Sequence, residues 1–285
     1  WLRFQGPYST NLFEYLNKND DNYELFIFMT YLYPTTYFGI DKVDKRKVIL
    51  VPTLHDEPSS YMSIFRKYST LRLLFLSKAE RALAERLLKC GVGHEVIGFG
   101  LEDNFERISP SKKDGKYILY AGRLEEGKGV KALYDNMQRY SSRHPGVKLY
   151  TIGDGPLKIH KNGNIKYLGF VSEEEKLSLM RGAFAFVHPS AFESLGLVLL
   201  ESFMAGTPAL VNARSEVLRE HIEDSGGGYS YNSYEDFEKY LNELTDNNNR
   251  EQLAKNAREY FLKNYTSDSY KKRLMSIVEK AIDTP

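Results

Sequence analysis

Ala183-Phe-Ala-Phe-Val-His188-Pro-Ser-Ala-Phe-Glu193-Ser-Leu-Gly-Leu-Val-Leu-Leu-Glu201-Ser-Phe-Met-Ala-Gly206 decides how this chain is read. Ala183 to His188 is a short apolar run, the mark of a buried strand. Beyond a polar turn holding Glu193, the residues around Glu201 are apolar on all sides and read as a buried helix. Gly206-Thr-Pro208 ends that helix. A buried strand passing through one turn into a buried helix is the unit of a parallel α/β sheet. The two acids lie eight positions apart, about 80° and about 12 Å on helical geometry. They can line one elongated ligand, one near each end. Between them the N–H groups of Ser194 to Val198 open a helix terminus, which favours anions. Glu201 needs hydrogen-bond donors, because an unpaired carboxylate among apolar residues is costly. Ribose hydroxyls would supply them.

The same alternation extends outward. Tyr117–Ala121, Val147–Ile152, Ile165–Leu168, Ala209–Asn212 and Tyr229–Tyr231 read as further strands. Helices follow Gly129, Ser172 (a cap), and the segments starting at Tyr234, Arg250 and Asp268. This predicts a doubly wound α/β domain with its ligand loops at the carboxyl ends of the strands. Before it, Tyr23–Met29, Lys47–Pro52, Leu73–Leu76 and Glu95–Ile97 read as strands, and Ser77 caps a helix over 78–89. That is a short set for a parallel sheet, so the expectation is a first domain lacking its beginning. Residues 99–116 are polar and irregular and suit a linker. The expected boundaries are 1–104, 105–267, and a terminal helix over 268–285 that packs back on the first domain.

Composition narrows the classes. The 285 residues carry a net charge of +1, 42% hydrophobic and 27% charged residues, so nothing points to nucleic acid. The one cysteine, Cys90, excludes an internal disulfide and fits a reducing compartment. No apolar run spans a bilayer. The 21 tyrosines and 16 phenylalanines are spread along the chain and read as core residues rather than a base-stacking platform.

Four motifs carry chemistry, each beside a plainer reading. Gly122-Arg123-Leu-Glu-Glu-Gly127-Lys128 fits the start of a phosphate-binding loop, and Arg123 with Lys128 could neutralise a diphosphate. Gly129 stands where an NTPase needs Ser or Thr, which argues against that class. The plainer reading is a basic turn. Gly153-Asp154-Gly155-Pro156 reads as a tight turn first and a binding loop second. His55-Asp-Glu57 follows a buried strand, either as a loop histidine or as a group facing a ligand. His188 reads as a wall residue. No metal-ligand spacing is present.

In order and spacing these motifs resemble the retaining GT-B glycosyltransferases of family GT4. Gly122-Arg123-Leu124 with Lys128-Gly129, Gly153-Asp154-Gly155, Leu168-Gly169-Phe170-Val171, His188-Pro189-Ser190 and Glu193-x7-Glu201 carry the resemblance. It implies two Rossmann-like doubly wound domains facing a cleft, and a nucleotide diphosphate sugar, UDP- or GDP-linked, held mainly by the second. Arg123 and Lys128 then resemble the diphosphate-binding pair. Glu201 resembles the acid that takes the ribose, and Glu193 the acid beside the transferred sugar. The amides of Ser194, Leu195, Gly196 and Leu197 resemble the sugar- and phosphate-binding segment, Phe170 and Val171 the base-contacting one. Gly122 and Asp154 fall among the donor-binding loops. His55 resembles the histidine that approaches the donor sugar from the first domain. Leu195 departs from the family's frequent Phe. No cofactor or metal is required, and the acceptor is a glycan, a lipid-linked sugar or a protein in surface polysaccharide or glycoconjugate synthesis.

The resemblance implies a cytoplasmic enzyme. Peripheral contact with the inner face of a membrane, through the bases between Arg66 and Arg86, is a minority reading beside a solvated face. Two alternatives keep the fold: a non-catalytic nucleotide-sugar-binding fragment, and a nucleotide-sugar epimerase.

Overall fold

The computed structural model describes residues 1–91, 94–113, 115–157, 163–245 and 247–283. Val92 and Gly93, Asp114 of the expected linker and Asp246 at an expected helix end lie outside that set. Two compact units are present: Trp1–Gly100 with the stretch from Asp268 onward, and Leu101–Ser267.

The first unit runs α1 (Thr10–Asn19), β1 (Phe26–Met29), α2 (Pro34–Gly39), β2 (Val48–Val51), β3 (Arg72–Phe75), α3 (Lys78–Leu88) and β4 (Glu95–Val96). The strands lie in the order β1-β2-β3-β4, all parallel. All four residues of β2 are buried, as a parallel strand covered on both faces requires. Ser77 caps α3 by accepting from the Glu80 N–H at 3.0 Å. The sequence pattern gives no sign of α1, which buries only Phe13 and Leu16, or of α2, six residues that start at Pro34. The bases between Arg66 and Arg86 do not share a helix. They fall on a 3-10 stretch, on β3 and on α3. Lys67 pairs with Asp41 at 2.7 Å and Arg86 with Asp56 at 3.3 Å. No helix among the described residues is long and apolar enough to cross a membrane.

The second unit begins within the expected linker. Leu101 forms a parallel bridge with Thr266, and Asp103 pairs with Arg258 at 2.6 Å. Then come β5 (Lys116–Ala121), α4 (Val130–Ser141), β6 (Val147–Ile152), β7 (Ile165–Gly169), α5 (Glu173–Gly182), β8 (Ala185–His188) and α6 (Leu197–Met204). They are followed by β9 (Ala209–Asn212), α7 (Glu216–Ser225), β10 (Gly228–Tyr231), α8 (Tyr234–Thr245) and α9 (Asn247–Asn264). Helix α10 (Ser267–Asp283) returns to the first unit, where Arg273 Nε donates to the Ile97 carbonyl at 3.0 Å. Ser172 caps α5 as expected. Helix α7, capped by Ser215, has no counterpart in the sequence reading.

Among the described residues, six strands of the second unit lie in the order β10-β9-β8-β5-β6-β7, all parallel. From β5 the chain moves outward to β6 and β7. It then crosses back to β8 and moves the other way to β9 and β10. Between β5 and β8 the order reverses. Loops leaving two such neighbours turn apart and open a crevice at their carboxyl ends, where ligands of open α/β sheets sit. Here those loops begin at Gly122 and Pro189. One face of the sheet packs Ile118, Tyr120, Val187 and Leu210 with Leu133 of α4 and Phe237 of α8.

Candidate functional site

The two loops at the reversal point are held backbone to backbone. Gly129 has φ +71, and a Cβ there would stand 2.4 Å from the Pro189 carbonyl oxygen. A serine or threonine at 129 would drive the two loops apart, so the departure from the NTPase pattern has a packing cause. At the end of β6, a Cβ on Gly153 would stand 2.0 Å from the Gly122 carbonyl. The Leu124 N–H donates to the Asp154 carbonyl at 2.9 Å, and Tyr120 Oη donates to the Arg123 carbonyl at 2.7 Å. Asp154 thus serves the loop through its backbone, while its carboxylate accepts from the Gly155 N–H at 2.8 Å.

Lys128 and Glu193 meet across the reversal point, Nζ to Oε1 at 2.7 Å. Burial would raise the Glu193 carboxyl. His188 and the Lys128 ammonium beside it, with hydrogen bonds from Lys128 and Ser190, hold it below its usual value. His188 Nε2 lies 3.8 Å from the same Glu193 oxygen. Burial lowers the His188 imidazole to about 4, against the pull of the Glu193 carboxylate. Arg123 is exposed and pairs with Glu125 at 3.3 Å, a surface contact that leaves its guanidinium accessible.

A cavity of about 360 Å³ opens beside these loops. Of the sequence-predicted residues it brings together Gly122, Arg123, Asp154, Phe170 and Val171. Phe170, 86% exposed, stands at its edge. Lys128, Glu193 and Glu201 are not among its lining residues. Two residues that the sequence reading missed are: Glu173 and Lys176, in the first turns of α5. Their signal is local, an acid and a base three positions apart just after the Gly169-Phe-Val171 segment.

Lys176 also lies beside Glu201. Its Nζ lies 2.8 Å from Glu201 Oε2 and 2.7 Å from Glu173 Oε1, an ion-pair contact, while Glu201 Oε2 is buried without a hydrogen-bond partner among the described residues. Burial would lower the lysine, but the two acids outweigh it and raise its pKa. The Glu201 carboxyl is raised by burial, which Lys176 only partly offsets. The two acids also do not share a helix. Glu193 lies in the loop, and α6 starts at Leu197.

Gly196 caps α6 with φ +72. Leu195, ahead of it, is buried, and its carbonyl lies 2.8 Å from His221 Nε2 on α7. The other ring nitrogen of His221 lies 3.0 Å from Tyr260 Oη on α9. Sequence alone offers no sign of this link, because the helix that carries His221 has no counterpart in the sequence reading. His55 belongs to the first unit, half-buried in the loop after β2.

A GT-B fold accounts for this arrangement, and structural likeness agrees. The chain superposes on a sucrose-phosphate synthase from Thermosynechococcus elongatus with a TM-score of 0.75 at 17% identity, covering 99% of this chain and 83% of that one. Anabaena HepE, solved in complex with UDP-glucose, gives 0.74 at 14% identity, covering 94% and 82%. The family model described as Glycosyl transferases group 1 matches residues 102–260, more than half of the chain, which therefore belongs to that family. An uncharacterised glycosyltransferase of Methanocaldococcus jannaschii is 27% identical over 191 residues, 63% of this chain and 49% of the relative. The chain spans about half the length of that relative.

Proposed function

We propose that this chain transfers a glycosyl group from a nucleotide diphosphate sugar, UDP- or GDP-linked, to an acceptor hydroxyl with retention of configuration. The observation that carries the reading is the Lys128–Glu193 pair at the strand-order reversal, beside a cavity opened by Arg123. Basic groups, a helix terminus and a carboxylate converge where an α/β sheet binds ligands. That one structural neighbour was solved with UDP-glucose supports the class of donor.

In this reading the nucleoside occupies the cavity, with the base against the Gly169-Phe170-Val171 backbone and the ribose hydroxyls on Glu201. Arg123, Lys128 and the Ser194–Leu197 amides take the diphosphate, and Glu193 lies beside the sugar. His55 is assigned to the sugar from the family resemblance. The bond from the anomeric carbon to the diphosphate oxygen breaks, and its electron pair leaves with the diphosphate. Charge grows on that oxygen, and pre-placed cations and amides stabilise it. The acceptor oxygen bonds to the anomeric carbon on the same face, and its proton passes to the departing phosphate oxygen. The acceptor is a glycan or glycolipid hydroxyl in surface polysaccharide or glycoconjugate synthesis. Cys90 remains a free thiol, which suits a cytoplasmic setting.

Thermal melting with UDP, GDP, UDP-glucose and GDP-mannose tests the reading. A raised melting temperature with the ligands of one base, reduced in Glu201→Ala, is expected. A melting temperature that none of the four moves overturns it.

A further inference from the structure

The first unit contains a buried carboxylate that the proposed reaction does not use. Glu80 is 1% exposed. Its place three residues after the cap Ser77 fits a capping box, in which it would turn back to the Ser77 N–H. The carboxylate also reaches further back along the chain. Oε1 accepts from the Leu54 N–H at 2.7 Å and Oε2 from the Leu76 N–H at 2.6 Å. Leu76 follows β3, and Leu54 follows β2 and immediately precedes His55. One side chain therefore ties together the carboxyl ends of two neighbouring parallel strands, the edge where ligand loops gather.

A second observation marks the same loop. Thr53 has φ +54, a left-handed conformation that is strained for a β-branched residue. Such strain persists only where the surroundings over-determine it, and it collects at working sites. The short bond from the Leu54 amide to Glu80 supplies that constraint at the next residue. Leu54 itself is buried, so the loop is anchored on both sides of its amide.

We propose that Glu80 is a positioning residue that fixes the Thr53–Leu54 turn and so sets the direction in which His55 is presented. The inference rests on the reading of His55 as a group that meets the donor sugar. Glu80 acts through His55 and touches no substrate.

Hydrogen exchange reads the contact directly. In the wild-type chain the Leu54 amide should exchange as slowly as the β2 amides. Exchange as fast as that of Asp56 overturns the proposal without any variant. Glu80→Gln keeps the shape but turns an NH₂ toward one of the two amides. It should speed Leu54 or Leu76 exchange at least tenfold. It should also lower the rate of UDP release from UDP-glucose, or of GDP release from GDP-mannose, with the KM for the donor unchanged. In a His55→Ala background Glu80→Gln should cause no further loss. Additive losses, or Glu80→Gln turnover within twofold of wild type while His55→Ala is impaired, overturn the inference. A His55→Ala variant with full turnover removes the role of His55, and with it that of Glu80. The wider donor reading fails separately, through the melting test with nucleotides.

Discussion

Two lysine–glutamate pairs in the second unit are alike in contact and opposite in electrostatics. Lys128 meets Glu193 at 2.7 Å, and Lys176 meets Glu201 at 2.8 Å. Both acids are largely buried, yet Glu193 is held below its usual value and Glu201 is lifted above it. The difference lies in the neighbours. Lys128 and Ser190 both donate toward Glu193. Lys176 is shared with a second acid, Glu173, whose own charge raises Glu201 further. One pair is a committed anion and cation at the point where the strand order reverses. The other is a divided contact, and its carboxylate gains most from further donors such as ribose hydroxyls. Distance alone would have ranked the two as equals.

Removing Lys128 should break that comparison most severely. Lys128→Ala leaves Glu193 with a buried charge and takes a cation from the developing diphosphate. A loss of about 3 kcal/mol in unfolding free energy is expected for a buried pair cut on one side. Turnover should fall about 100-fold, as for loss of one pre-placed donor. Urea unfolding and donor turnover check both. Unchanged donor binding and turnover would remove Lys128 from the diphosphate. Glu201→Ala should act next most strongly, weakening UDP or GDP binding about tenfold by calorimetry, with little effect on stability because Lys176 keeps Glu173. Wild-type affinity in that variant would mean that Lys176 alone satisfies Glu201.

How much of this could be read from the sequence differs between the two pairs. Arg123, Lys128, Glu193 and Glu201 are visible because they stand at fixed spacings around strand–turn–helix units whose apolar runs are unmistakable. The six-strand sheet was legible for the same reason, since strands covered on both faces carry no alternation to misread. The partners were not. Lys128 and Glu193 are 65 positions apart, and nothing in either local pattern says that the loops meet. Lys176 sits in an ordinary-looking charged helix start, and only the fold brings it to Glu201. Helices α1 and α2 were missed because one buries two residues and the other has barely more than a turn. Glu80 gives no local sign of its role, because the Leu54 amide that it binds lies 26 positions away.

Acid titration sharpens the contrast at a smaller scale. The folded value of Glu193 lies below the ordinary 4.5. Its stabilisation is complete above that value and is lost as pH falls through the folded value. Glu201 lies above 4.5. Its contribution is complete below that value and is lost as pH rises through the folded one. From pH 7 to pH 4, the stability advantage of wild type over Glu193→Gln should shrink. Its advantage over Glu201→Gln should grow. Melting temperatures at the two pH values decide, and parallel changes would show that the two carboxyls are not opposed.

The smallest expected effect concerns the amides between the two acids. His221 Nε2 lies 2.8 Å from the Leu195 carbonyl, and Tyr260 Oη lies at its other ring nitrogen. With the Tyr260 hydroxyl donating to that nitrogen, Nε2 carries the proton and donates to Leu195. In a trans peptide the carbonyl and the following N–H point in opposite directions. Turning the Leu195 carbonyl toward His221 therefore turns the Gly196 N–H away from α7, at the mouth of α6 where first-turn amides lack helical partners. His221→Phe keeps the ring and loses the bond, which is worth about 1 kcal/mol net. The affinity for UDP or GDP should fall about fivefold, while that for uridine or guanosine stays within twofold, because the nucleoside does not reach these amides. Tyr260→Phe should give a weaker version of the same split by freeing the tautomer. An equal loss for nucleoside and diphosphate would show that His221 supports the unit as a whole, and that the stretch between Glu193 and Glu201 does not hold the phosphates.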